Sequence, residues 1–222
     1  LESFFDVHYL NGVTFEEDPV SVFSSLKDEC IHGFLTVPAI GAGTANTEFE
    51  VITGMSLDYF GTGEYPYETI LQNSTCESVA YNLKELGYTT TAIHNNNATF
   101  YDRNVVFSKL GFDNFISSEY MSDIEYNSIG WAKDAVLTGE IMKTLESTDT
   151  SDLVYTISVQ AHGQYPDEVP EDAPAIDVYG IENETLANKY RYYLGQLKET
   201  DAFIGELVEQ LSNYDEPVIL VL

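Results

Sequence analysis

Short apolar runs that break off at a polar residue recur along this 222-residue chain, with stretches of helical spacing between them. Thr89-Thr90-Thr91-Ala92-Ile93 leads to His94, and Leu153-Val154-Tyr155-Thr156-Ile157-Ser158-Val159 delivers His162. An apolar run at 34–40 enters the small-residue turn that carries Thr44, and Glu2 stands at the very start. Strands alternating with helices pair in parallel, because a crossover helix returns each strand to the same end of the sheet. Ligands then bind beyond the carboxyl ends of those strands. The pattern predicts an α/β fold with a mostly parallel central sheet flanked by helices, and one site fed by Glu2, Thr44, His94 and His162.

The helical stretches read from spacing and caps. Residues 21–29 form a short helix, and a second helix opens over 48–54 with Thr47 or Asn46 as its cap. Val79, Leu83 and Leu86 share a face of a helix over 77–86 that Gly87 stops, and Gly111 stops another over 104–110. Further helices are predicted over 134–145 and 184–211, the latter with Leu194, Leu197, Phe203 and Leu207 at helical spacing. Residues 34–38 and 112–116 read as extended, and 217–222 as a final apolar strand. A Pro- and acid-rich loop at 164–179 is long enough to be functional or mobile. The length suits one domain over 1–222.

Charge excludes several function classes. Thirty-seven acidic residues against nine basic ones leave a net charge of −28. Nothing resembles a basic face for nucleic acid, and anionic lipid surfaces are repelled. An anionic substrate must therefore be held by local positive charge or a metal. The plainest role for the acidity is solubility in a salty or extracellular medium. A 44% apolar and 13% aromatic composition still argues for a folded chain. Cys30 and Cys76 form no redox or metal motif; buried thiols are the default, with pairing open to an oxidising compartment. No apolar run approaches the roughly 20 residues that span a bilayer.

Three elements carry chemistry. Gly41-Ala42-Gly43-Thr44 puts a hydroxyl on a bend whose glycines let a ligand approach the backbone. Tyr101-Asp102-Arg103-Asn104 holds a guanidinium fork suited to a phosphoryl group, or else a surface ion pair. His162, before Gly163, can donate to a phosphate oxygen or protonate a leaving group, or be a satisfied structural histidine. Tyr101 suits headgroup stacking or core packing, and His94 a substrate contact or a loop hydrogen bond. His8 and His32 lack companions, and capping and packing account for Trp131 and Asp134. The set suggests a metal-assisted enzyme acting on phosphate or sulfate esters.

In order along the chain these motifs resemble the lipoteichoic acid synthase branch of the alkaline phosphatase/sulfatase superfamily. The points of contact are Leu1-Glu2-Ser3-Phe4, Gly41 to Thr44 with Glu48-Phe49, Thr53-Gly54, Gly87-Tyr88 with His94, Phe100 to Asn104, Leu110 to Asp113, and His162-Gly163 with Tyr165-Pro166. The resemblance implies that Thr44 is the nucleophile and a metal ligand, Glu2 a second ligand, and Arg103 and His162 substrate binders. Tyr101 stands where such synthases often have tryptophan, and Asn96 where an aspartate can occur. It further implies a divalent metal (Mn2+ or Mg2+, with Zn2+ possible). The donor would be a phosphatidylglycerol-type lipid headgroup and the acceptor a polymer or glycan.

The same resemblance implies an extracellular catalytic domain of a membrane-anchored protein, its membrane contact made outside this chain. The family's adjacent Asp-His ligand pair does not occur in this sequence. The expectation is a domain truncated at both ends that binds metal weakly and turns over little. A hydrolase of the same superfamily and an inactive ligand-binding ectodomain are the alternatives. Thr44 in place of a Cys-x-Pro-x-Arg context counts against sulfate esters.

Overall fold

The structure is a computed structural model and describes residues 1–39 and 43–222. Its elements run β1 (Thr14–Phe15), α1 (Ser21–Glu29), α2 (Thr44–Thr53), α3 (Val79–Glu85), β2 (Thr89–His94) and α4 (Arg103–Lys109). There follow β3 (Asn114–Ser117), α5 (Val136–Leu145), β4 (Asp152–Ile157), β5 (Val178–Tyr179) and α6 (Glu184–Ser212). They fall into two compact units. One comprises Leu1–His32, Asp123–Gly139 and Ser158–Leu222, the other Gly33–Ser122 and Glu140–Ile157.

The second unit holds the parallel sheet, in the order β3-β2-β4. In register, Ala92 lies opposite Phe115 and Tyr155, and His94 opposite Ser117 and Ile157. The central strand β2 is buried along nearly its whole length, which a continuous β-rich run with helical crossovers requires. α2 buries Ala45, Glu48, Phe49 and Ile52, a stripe at helical spacing. Phe107 of α4 anchors the core, edge-on to Phe112 at 5.4 Å and Phe115 at 4.9 Å between ring centroids. Each such buried aromatic contributes about 1.5–3 kcal/mol of burial energy.

The first unit is organised by α6, whose Leu194, Leu197 and Tyr193 pack with Val7, Val20, Ile176 and Val178. Gly195 lets the loop after His162 lie against this helix: a Cβ there would stand 1.9 Å from the Pro174 carbonyl oxygen. The loop ends in β5, which pairs antiparallel with β1. Asp201 reaches from α6 to accept the Val22 and Phe23 amides, each at 2.8 Å. It thereby caps α1, which has no cap of its own.

The parallel sheet and the helices at 21–29 and 184–212 agree with the sequence reading. Several local expectations do not. The helix predicted from Glu48 begins at Thr44, with Gly43 rather than Thr47 or Asn46 as its cap. Starting one turn earlier buries Ala45 beside Phe49. Residues 34–38 form no strand and expose Phe34 at 86%. Residues 217–222 likewise pair with nothing regular and expose Ile219 at 93%. Their side chains suit a sheet, but a strand also needs a neighbouring ladder to satisfy its backbone. Glu2 stands in a turn, not at a strand end. Cys30 is exposed and Cys76 half-buried, both as free thiols, which corrects the expectation of buried ones.

Candidate active site

Gly41 and Ala42 of the glycine bend lie outside the described residues. Gly43, in the left-handed region at φ 82°, leads directly into Thr44, the first residue of α2. A Cβ at Gly43 would lie 2.9 Å from the Tyr65 hydroxyl, so a side chain at 43 would collide with that ring. Tyr65 in turn stacks on Tyr101, with ring centroids 5.9 Å apart and planes 17° apart. Gly43, Tyr65 and Tyr101 thus follow one another in a line just before α2.

Tyr101 and Asp102 both occupy the left-handed region, at φ 56° and 53°. Consecutive non-glycine residues there cost of order 1–3 kcal/mol each and persist only where the surroundings hold them. What they achieve here is the delivery of Arg103 into the interior. Its side chain is 0% exposed. Arg103 Nε donates to Glu48 Oε2 at 3.1 Å, Nη2 donates to Glu48 Oε1, and Nη1 donates to the Phe100 carbonyl at 3.3 Å. The guanidinium carbon sits 5.6 Å from the Phe100 ring and 5.3 Å from the Tyr101 ring. Glu48 was absent from the sequence-based candidates. In the sequence it stands among the points of family contact without a role, and its spacing of four from Thr44 places both on one face of α2.

His94 ends β2 with no exposure. Nδ1 lies 3.0 Å from the Ile157 carbonyl, so it carries the proton and donates. Nε2 is then an unprotonated acceptor, and among the described residues nothing bonds to it. Burial, followed by the positive charge of Arg103, pushes the imidazole down to about 3. Tyr67 and Tyr155 stay protonated: burial raises both phenols and the Glu48 carboxylate adds to it. A neutral acceptor histidine, a forked cation and neutral hydroxyls therefore share this unit.

In the other unit Glu2 is 6% exposed, and its backbone N–H donates to Ser158 Oγ at 3.1 Å. His162 Nε2 lies 3.7 Å from Glu2 Oε1. The His162 ring packs on Trp131, with centroids 4.6 Å apart, while Trp131 Nε1 donates to the Gly163 carbonyl at 3.1 Å. Asp134 does more than begin a helix. Its Oδ1 accepts the Val159 and Gln160 amides at 3.0 and 3.1 Å, and its Oδ2 accepts Thr200 Oγ1 at 2.9 Å. Gln160 Oε1 accepts the Asp134 amide at 2.8 Å in return. This reciprocal clasp fixes the turn from which His162 projects.

The structure thus places Thr44, Tyr101, Arg103 and His94 in one unit and Glu2 with His162 in the other. Glu2 and Thr44 offer hard oxygen donors of the type Mn2+ or Mg2+ prefers. Among the described residues no group of three or more His, Cys, Asp or Glu side chains converges as a metal cage. Each unit thus carries an oxygen donor of the kind a divalent cation takes.

Comparisons with known proteins identify the family. A protein of Rhizobium meliloti (strain 1021) named for the modification of cyclic β-1,2-glucan is 31% identical over 222 residues. That match covers 100% of this chain and 34% of the relative. Lipoteichoic acid synthase 2 of Bacillus subtilis (strain 168) is 29% identical over 155 residues, covering 67% of this chain and 22% of the relative. The chain therefore spans about a third or less of these relatives' length. Among solved structures, a Streptococcus pyogenes phosphoglycerol transferase in complex with sn-glycerol-1-phosphate superposes with a TM-score of 0.81. It is 21% identical, and the match covers 96% of this chain and 56% of the other. The sulfatase family pattern extends over residues 1–222, and the chain belongs to the sulfatase family of the alkaline phosphatase superfamily.

Proposed function

We propose that this chain contributes the catalytic threonine and phosphate grip of a phosphoglycerol transferase. In this reading Thr44 Oγ1 attacks the phosphorus of a phosphatidylglycerol-type donor. A P–O bond forms to threonine, the bond to diacylglycerol breaks, and the leaving alkoxide takes a proton. A hydroxyl of a polymer or glycan acceptor then attacks the same phosphorus, and Thr44 departs and recovers its proton. The observation that carries the reading is the local geometry at α2. Its first residue is Thr44, and the next turn grips Arg103 through Glu48. That geometry is supported by the likeness to a fold holding sn-glycerol-1-phosphate.

Each residue has a role in this scheme. Arg103, held by Glu48, supplies the guanidinium charge that draws the phosphoryl group. Tyr101, stacked on Tyr65, offers a face to the glycerol, and neutral His94 accepts from one of its hydroxyls through Nε2. His162 supplies the proton for the leaving group. Glu2 and Thr44 would be the residues to hold a divalent cation, which would supply positive charge to activate the threonine hydroxyl. Manganese or magnesium suits those donors, and zinc is the third candidate.

A glycan acceptor follows the relative named for glucan modification, and the site of action is the extracellular face of the membrane. Among the described residues no helix is long and apolar enough to cross a bilayer. The test incubates the full-length protein with headgroup-labelled phosphatidylglycerol and manganese. Thr44→Ala should lower transfer by about 10³-fold or more while leaving the circular dichroism unchanged. Transfer that survives Thr44→Ala refutes the reading. Glycerol phosphate released to water at the rate of lipid turnover assigns the protein to hydrolysis.

A further inference from the structure

The Arg103–Glu48 pair is too well built to be incidental. A buried guanidinium is costly unless a carboxylate meets it, and here both charges are almost entirely out of water, at 0% and 7% exposure. Arg103 and Arg191 are the only arginines in the chain, so this fork is not one of many. The carboxylate that holds it comes from α2, one helical turn beyond Thr44, although the two partners are 55 residues apart in sequence. Phe100 and Tyr101 close the guanidinium between their rings and the Phe100 carbonyl. With its Nε edge on Glu48, the plane of the fork is fixed relative to the helix that presents the hydroxyl.

We propose that Glu48 is a positioning residue for phosphoryl transfer, locking Arg103 in register with Thr44 so that nucleophile and anion grip form one rigid body. This inference rests on the reading of Arg103 as the phosphate-binding residue. Glu48 itself touches no substrate. A salt bridge serving stability alone would leave phosphate-ester affinity unmoved in any variant that still folds. A positioning pair requires the length of the glutamate arm, because a shift of about 1 Å in a catalytic group costs up to 10²-fold.

The test uses sn-glycerol-1-phosphate as the probe and reads both its Kd and the NMR signal of the Arg103 Nε–H. Within this chain only Arg103 and Arg191 contribute such signals, and Arg191→Lys tells them apart. In the wild-type protein the Arg103 signal should move on titration. Glu48→Asp, which keeps the charge and shortens the arm, should weaken binding by about 10-fold or more and shift the resting Nε–H signal. Glu48→Gln keeps the arm and one acceptor, and should recover part of that loss. Where Glu48→Asp does not fold, Glu48→Gln carries the test through the same two readouts. The paired change Glu48→Leu with Arg103→Met should fold and bind nothing, separating packing from recognition.

An unchanged Kd in folded Glu48→Asp overturns the inference and leaves the functional reading standing. Tighter binding in either single variant also overturns it, by making Glu48 a competitor for Arg103. Absence of binding by the wild-type protein overturns the functional reading and this inference together.

Discussion

Folding holds His94 neutral, and that makes the stability of the protein fall in mild acid by a calculable amount. The imidazole ordinarily titrates at 6.5 and is pushed to about 3 by burial and by Arg103. Protonation is thus favoured in the unfolded chain. The stability His94 contributes is whole above pH 6.5 and drains away as pH falls toward about 3. Each pH unit between those values is worth about 1.4 kcal/mol, giving about 5 kcal/mol in the acid limit and about 2 kcal/mol at pH ~5. Against a typical total of about 5–15 kcal/mol, the loss at pH ~5 is readily measured.

Many carboxylates titrate over the same range, so the contribution must be isolated by difference. Glutamine at 94 can still donate an amide N–H toward the Ile157 carbonyl, and it does not titrate. Urea unfolding of wild type and His94→Gln at about pH 7.5 and pH 5 gives the stability gap between them at each pH. The gap should close or reverse by about 2 kcal/mol on acidification. Ring-proton shifts of His94 should stay those of a neutral imidazole at the lower pH. A gap that holds constant across this range refutes the reasoning, since it means His94 protonates in the folded state as easily as in water.

Two further substitutions test the packing of the α6 unit. Asp201→Ala removes the side chain that accepts the first-turn amides of α1 and should cost about 1–2 kcal/mol in urea unfolding, with faster exchange of the Val22 and Phe23 amides. Normal protection of those two amides would show that α1 needs no cap from α6. Gly195→Ala drives a methyl to within 1.9 Å of the Pro174 carbonyl and should destabilise by about 1–3 kcal/mol or more through overpacking. Unchanged stability would mean that the 164–179 loop is not held against the helix.

What the sequence disclosed, it disclosed through periodicity and punctuation. Ser21–Glu29 and Glu184–Ser212 show helical spacing bounded by recognisable ends, and their limits were readable almost to the residue. The β-rich run ending at His94 and the one beginning near Leu153 were equally plain, because a buried parallel strand is a continuous apolar or β-branched segment. Local motifs singled out Thr44, Arg103 and His162, and the family resemblance attached roles to them. Glu48 beneath Arg103 and the Asp134–Gln160 clasp beneath His162 escaped notice. Each is a hydrogen-bonded pairing between distant positions, and such a pairing leaves no rhythm in the chain. Residues 34–38 and 217–222 failed in the opposite sense: side-chain preference alone does not create a ladder partner.

The back-to-back left-handed residues at 101 and 102 bear on how this protein can evolve or be engineered. Glycine at either site would release roughly 1 kcal/mol of conformational tension. A selection for heat tolerance should therefore accumulate glycine there readily. At 101 the gain would discard the aromatic wall beside Arg103, and at 102 it would slacken the hinge that aims the arginine inward. Durability and turnover pull against each other over two adjacent codons, and libraries screened for one alone should drift away from the other.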